Sequence, residues 1–230
     1  MKTIGLIGGM SWESSLEYYR IINKQISTHA GGLNSAECIL YSVNFAEIED
    51  MQSNNKWEQA ASTLSTIAVK LQEAGADCIV ICTNTMHKIA AHVQAAVQIP
   101  LIHIGDATAK EIHAEGLTKV GLLGTRYTME EDFYHDSLTK QGIHAITPDQ
   151  SARTELNRII FEQLCQGIFT LDSKNKIQAM IDNLRADGAQ AIILGCTEIP
   201  LIIKQEDSTL PLYNTMNIHA AKAVEFALAD

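Results

Sequence analysis

Gly188-Ala-Gln-Ala-Ile-Ile-Leu-Gly195-Cys196-Thr197-Glu198-Ile-Pro200 is the stretch that organises the chain. Ala191 to Leu194 is a short apolar, β-branched run, which reads as a buried strand ending at Gly195. Cys196, Thr197 and Glu198 follow on the turn at the strand's carboxyl end, which is where ligands bind in open α/β sheets. A thiol, a hydroxyl and a carboxylate on consecutive residues there form a candidate reaction centre.

The stretch has an echo earlier in the chain. Gly75-Ala-Asp-Cys78-Ile-Val-Ile-Cys82-Thr83-Asn84-Thr85 matches it without a gap: Gly-Ala, one polar residue, an apolar run, then a polar turn. At the offset 188 − 75 = 113, Thr83 falls on Cys196, Asn84 on Thr197 and Thr85 on Glu198. Ile4-Gly-Leu-Ile-Gly8 likewise matches Val120-Gly-Leu-Leu-Gly124, at 120 − 4 = 116. Two matched pairs in the same order predict two related half-domains facing each other. The competing explanation is chance, since apolar strands ending in glycine recur in α/β proteins.

With 230 residues the chain can bury a full core, as one large domain or two small lobes. Its net charge of −10 argues against nucleic acid and against an anionic membrane surface as partners. No apolar run approaches the length of a membrane span, and the Gly-rich start does not read as a secretory signal. Five cysteines (38, 78, 82, 165 and 196), with no C-x-x-C, are not a disulfide framework and favour a reducing compartment. A cytoplasmic location is expected.

Strands are predicted at 4–7, 38–43, 78–82, 101–104, 120–123, 142–146, 191–194 and near 210–213. Residues 44–55 read as a polar loop that includes Gln52. Helices are predicted at 57–73, 87–97, 108–114, 154–165, 174–185 and 215–228, with others after Gly9, where Ser11 and Ser14 are candidate N-caps, and after the turn Gly124–Thr128, through Phe133 and Leu138. Strands alternating with helices imply parallel sheets. The expected fold class is α/β, with two pseudo-symmetric lobes, each a parallel four-stranded sheet flanked by helices. The active site is expected in the cleft between them. The N-terminal lobe is expected to span 1–100 plus 214–230, and the C-terminal lobe 101–213.

Several tempting motifs are set aside. Gly5-x-x-Gly8-Gly9 is neither G-x-G-x-x-G nor a G-K-[ST] loop, although amides at the following helix start could cradle a carboxylate. Cys78-x3-Cys82-x4-His87 lacks a second ligand cluster, so no metal is expected. Cys82-x5-Lys88 lacks the arginine of a phosphatase loop. Cys38 and Cys78 read as small core residues. His87 has two open readings: orienting the Thr83 turn, or capping its helix.

Thr83-Asn-Thr-Met-His87 and Gly195-Cys-Thr-Glu-Ile199 resemble the two signature turns of the aspartate/glutamate racemase family, and Ile4–Gly9 and Leu122–Thr125 resemble its domain starts. The likeness spans essentially the whole chain. It is greatest to bacterial racemases that share the Gly8-Gly-Met-Ser-Trp-Glu-Ser14 start and the Cys82-Thr-Asn-Thr-Met-His87 turn. The resemblance implies cofactor-independent, two-base racemisation of an amino acid, with the proton removed from one face of Cα and returned to the other. Cys196 and Thr83 are the implied catalytic pair, and no cofactor is expected. Met10, Ser11, Gln52, Asn84, Thr85, Thr125, Thr197 and Glu198 are the candidate substrate-binding residues. The implied partner is a small-molecule amino-acid substrate, with a homodimer as the assembly to consider.

One position departs from the family pattern. A cysteine commonly precedes the Asn-Thr pair, but here that residue is Thr83, with Cys82 one place earlier. Neighbours on an extended strand point to opposite faces, so Thr83 is expected to face the cleft and Cys82 to face away. A loop distortion that brings Cys82 in is the competing possibility. The family's acidic-substrate members place basic residues where this chain has Gln52 and Cys165, so a neutral or broader substrate range stays open. Two further alternatives are an isomerase or decarboxylase of a small diacid, and a non-catalytic amino-acid-binding protein.

Overall fold

The computed structural model describes residues 1–229. In chain order the strands and helices are β1 (Ile4–Gly8), α1 (Trp12–Ala30), β2 (Cys38–Ser42), α2 (Phe45–Ser53), α3 (Trp57–Glu73), β3 (Cys78–Ile81), α4 (Ala90–Ala95) and α5 (Ile104–Ala114). These continue with β4 (Lys119–Gly124), α6 (Arg126–Glu130), α7 (Asp132–Thr139), β5 (His144–Ile146), α8 (Gln150–Glu162), α9 (Leu171–Ala186), β6 (Ala191–Gly195), α10 (Ile199–Ile202), β7 (Leu212–Asn214) and α11 (Thr215–Leu228). The chain divides into two compact units: Met1–His103 together with the chain from His219 onward, and Ile104–Ile218. No helix among the described residues is long and apolar enough to cross a membrane.

The first unit holds a parallel sheet in the order β2-β1-β3, and the second a parallel sheet in the order β5-β4-β6-β7. Both are α/β sheets flanked by helices, and the register of their central pairs repeats. Gly5 pairs with Ile79 in the first sheet and Gly121 with Ile192 in the second. The displacements 121 − 5 = 116 and 192 − 79 = 113 equal the two offsets found in the sequence. Strands β1, β3 and β6 are buried along their whole length, which explains their continuous apolar runs in place of alternation.

The N-terminal sheet has three strands, not the four expected. Leu101 forms only an isolated parallel bridge to Ile79, carried by Ile79 N–H to the Pro100 carbonyl and Ile102 N–H to the Ile79 carbonyl, both 2.9 Å. The Leu101 N–H is taken by Gln94 Oε1 at 2.7 Å, and α5 begins at Ile104, so the segment is too short to extend the ladder. The bridge occupies the place that β7 fills beside β6 in the other sheet, where Ile192 pairs with Leu212.

A second correction concerns residues 44–55, expected as a loop. Phe45–Ser53 is the helix α2, with the Asn44 side chain as N-cap accepting from Ala46 N–H at 3.3 Å. Ile48, Met51 and Gln52 form its buried face. The predicted helix at 87–97 is also divided, into a 3₁₀ turn at Thr85–Ile89 followed by α4.

Each unit has its own apolar core. In the first, Ile7, Ile79 and Ile81 pack against Leu64, Ala68 and Leu71 of α3 and against Ile48 and Met51 of α2. In the second, one cluster gathers Leu123, Ile192 and Leu194 with α8 and α9, and another gathers Val120, Leu122, Ile193 and Tyr134. Gly124 and Gly195 are paired across β4 and β6, and each lies against the other strand's backbone. A Cβ on Gly124 would stand 2.8 Å from the Gly195 carbonyl, and one on Gly195 2.8 Å from the Leu123 carbonyl. These two ladder positions therefore require glycine, and they set the turns carrying Thr125 and Cys196 side by side.

Candidate active site

In the second unit the turn after β6 is a compact polar network. Cys196, Thr197 and Glu198 are all buried. Cys196 Sγ donates to Glu198 Oε2 at 3.1 Å, and Thr197 Oγ1 donates to the same oxygen at 2.9 Å. Burial pushes the Cys196 thiol well above its ordinary range, and the negative charge of Glu198 pushes it the same way. At rest the group is a thiol aimed at a carboxylate, which is an acid with a proton acceptor in contact. Thr125 caps α6, its Oγ1 accepting from Thr128 N–H at 3.4 Å.

Neutralising Glu198 tests this electrostatic picture. Glu198→Gln removes the charge that raises the thiol and supplies an amide able to donate to sulfur. Alkylation of Cys196 by iodoacetamide, followed by peptide mass mapping, should then show its midpoint at lower pH than in the wild type. An unchanged or higher midpoint would contradict the assignment.

The equivalent turn in the first unit follows β3. Cys82 N–H donates to the Ile7 carbonyl at 2.9 Å, completing the ladder, and its side chain is fully buried. Its Sγ lies 3.8 Å from the Val80 carbonyl, and burial raises this thiol strongly. Thr83 is the partly exposed member of the pair. Its N–H donates to the Ile81 carbonyl at 2.8 Å, and its own carbonyl accepts from His87 Nδ1 at 2.8 Å. Asn84 and Thr85 are buried at the start of the 3₁₀ turn.

Met10, Ser11 and Gln52 also lie in the first unit. Met10 is buried in the same apolar cluster as Ile48 and Met86. Ser11 is buried at the N-cap position of α1, but its side chain makes no capping bond. Its carbonyl accepts instead from Ser14 Oγ at 3.2 Å and Ser15 Oγ at 2.8 Å, while Ser15 Oγ accepts from Gly9 N–H at 2.7 Å. Gln52, on the unanticipated α2, is buried with its Nε2 3.0 Å from Met86 Sδ, which ties that helix to the Thr83–His87 segment. Cys165 packs at the edge of the cluster that contains Cys196.

A buried aromatic network next to the Thr83 turn was not anticipated. His87 stacks edge-on against His103 at 4.7 Å between ring centroids and against His219 at 5.4 Å. His219 is clamped between Tyr18 Oη at 2.8 Å and the Ile102 carbonyl at 2.6 Å.

The chain's relatives agree with this architecture. A candidate Asp/Glu racemase from Yersinia pestis is 52% identical with a TM-score of 0.92, covering 100% of both chains. An aspartate racemase homologue from Pyrococcus horikoshii is 39% identical with a TM-score of 0.84, again over 100% of both chains. The broad-specificity amino-acid racemase RacX of Bacillus subtilis is 28% identical over 165 residues, 70% of this chain and 70% of that protein. The Asp/Glu/Hydantoin racemase family model matches residues 7–223, which include both polar turns, and the chain belongs to that family.

Proposed function

We propose that the protein is an amino-acid racemase that works without pyridoxal phosphate, by proton transfer at Cα, with Cys196 and Thr83 acting on opposite faces of the substrate. The observation that carries the proposal is the Cys196–Glu198 contact at 3.1 Å, a buried acid–base pair on the strand-end turn of a racemase-family fold. As base, the Cys196 thiolate takes the Cα proton and leaves a carbanion stabilised by the substrate carboxylate. The carbanion then takes a proton on the other face from the Thr83 hydroxyl or a water it holds, and the oxygen left negative is re-protonated through solvent as Glu198 releases the proton it took from the thiol. In the reverse direction Cys196 is the acid. Glu198 Oε2 is the acceptor that takes the thiol proton when the thiolate forms.

Thr83, not Cys82, is assigned the opposite side for two reasons. Cys82 is fully buried, whereas Thr83 is partly exposed, and Thr83 is the residue the internal repeat aligns with Cys196. A hydroxyl is a far weaker acid than a thiol, near ~15.7 for water against ~8.5. The Thr83 half-reaction is therefore the slow one, and kcat is expected to differ between the two enantiomers while their equilibrium is unchanged. The substrate is proposed to be aspartate, glutamate or a broader set, since Gln52 and Cys165 stand where the resemblance places basic side chains.

The test compares wild type, Thr83→Ala and Cys82→Ala with both enantiomers of each proteinogenic amino acid. Deuterium uptake at Cα is followed by NMR in D2O, and inversion by chiral chromatography. Thr83→Ala should lower inversion by about 10²-fold or more, the scale of a lost acid–base group, and Cys82→Ala should leave it intact. The opposite pattern would transfer the role to Cys82. No uptake with any amino acid would favour diacid chemistry or a binding protein.

A further inference from the structure

The buried aromatic network next to the catalytic turn fixes the proton positions of two histidines. A carbonyl oxygen only accepts, so His219 Nε2, 2.6 Å from the Ile102 carbonyl, carries a hydrogen. The neutral ring's Nδ1 is then an acceptor, and the Tyr18 hydroxyl 2.8 Å away donates to it. By the same logic His87 Nδ1, 2.8 Å from the Thr83 carbonyl, carries a hydrogen and donates it there. Tyr18 belongs to α1, His219 to α11, Ile102 to the bridge segment and His87 to the 3₁₀ turn, so four separate pieces of chain converge on one orientation of the His87 ring.

The Thr83 carbonyl lies just beyond the sheet. The last ladder bond of β3 is made by Cys82 N–H to Ile7, and Thr83 N–H turns back to Ile81. His87 Nδ1–H holds that carbonyl at 2.8 Å. The rotamers open to a β-branched side chain depend on its own φ and ψ. Whatever holds this peptide therefore aims the Thr83 hydroxyl.

We infer that His87 is a positioning residue of the racemisation: its Nδ1–H fixes the Thr83 carbonyl, and the Tyr18–His219–Ile102 clamp, with His103 packed alongside, holds the imidazole in the orientation that does so. This rests on the assignment of Thr83 to one face of the substrate. A capping role alone would leave catalysis insensitive to His87 once the fold is intact. A positioning role makes the Thr83 half-reaction, and not the Cys196 half-reaction, depend on it.

The experiment uses His87→Leu, which keeps bulk without a donor, and His87→Asn, whose amide N–H falls near the Nδ1–H. Thr83→Ala is the reference. The substrate is the amino acid that the wild type turns over fastest. For the enantiomer whose Cα–H faces Cys196, deuterium uptake in the recovered starting enantiomer is compared with appearance of its mirror image. His87→Leu should lower the ratio of inversion to uptake by about 10²-fold, the scale of a misplaced reacting group, and His87→Asn should restore it to within about tenfold. Uptake itself should stay near the wild-type rate, which shows that the protein is folded. Equal loss of both signals, no change in either, or failure of Asn to restore the ratio would overturn the positioning role. If Thr83→Ala leaves the ratio at the wild-type value, the assignment of Thr83 itself fails, and the role of His87 fails with it.

Discussion

Replacing Cys196 by serine is expected to lower both inversion and Cα deuterium uptake by about 10³-fold or more, in line with the 10²–10⁴ contributed by a positioned acid–base group. That corresponds to about 4 kcal/mol of lost transition-state stabilisation. The expectation follows from geometry as well as residue type. Cys196 Sγ and Thr197 Oγ1 share one carboxylate oxygen of Glu198, at 3.1 and 2.9 Å. A serine hydroxyl can still donate to that oxygen, so the packing and hydrogen-bond network survive. Stability by urea denaturation should therefore change by no more than about 1.5 kcal/mol, the range of volume-conserving substitutions. What is lost is acidity, because an alkoxide is far harder to form than a thiolate. Thr83→Ala differs in kind, since it should spare uptake at the enantiomer facing Cys196. A Cys196→Ser protein retaining a tenth or more of the wild-type rate would place the chemistry elsewhere.

The second large effect is on stability, and it comes from the buried histidines. Burial is the main cause that lowers His219, to about 4 from its ordinary value near 6.5, and the neighbouring His103 adds to it. His87 is lowered by burial first, then by His103 and His219. The unfolded chain therefore takes up protons at a higher pH than the folded one. The stability from keeping His219 neutral is complete above pH ~6.5 and is lost as pH falls toward ~4. For His219 alone the loss across that window is roughly 3 kcal/mol, and His87 acts in the same direction. His219→Gln isolates the effect. Its amide can donate to the Ile102 carbonyl and accept from the Tyr18 hydroxyl, and it does not titrate. Urea unfolding at a series of pH values should show a flatter acid limb for His219→Gln than for the wild type, the carboxylates being common to both. Parallel limbs would show that His219 is not held neutral by the fold.

The strand-end turns were readable from sequence because each follows a fully buried parallel strand, and such strands show as unbroken apolar runs. The repeat of these runs at offsets of 113 and 116 anticipated the register that pairs Gly5 with Ile79 and Gly121 with Ile192. Besides the division of the helix predicted at 87–97, local patterning misled in two places. Leu101–Ile104 has the composition of a strand, but Pro100 precedes it and α5 starts at Ile104, leaving room for a single bridge. Residues 44–55 are mostly polar, yet the Asn44 cap and the spacing of Phe45, Ile48 and Met51 were helix signals that the polar surroundings obscured. The histidine clamp is a different case. Its two hydrogen bonds join residues 201 and 117 positions apart, and no periodicity within a segment reports such contacts. His87 could be singled out from its motif, but its partners were visible only in the folded chain.

Proton exchange at Cα in the absence of pyridoxal phosphate can be observed in a single experiment. Purified protein, free of added pyridoxal phosphate, is incubated in D2O with each L-amino acid, and loss of the Cα proton is followed by NMR alongside chiral chromatography. Loss of the Cα proton with appearance of the D-enantiomer is expected for at least one amino acid, and both signals should vanish in Cys196→Ser. Absence of exchange with every amino acid, or exchange that persists undiminished without Cys196, would rule out Cys196-dependent racemisation.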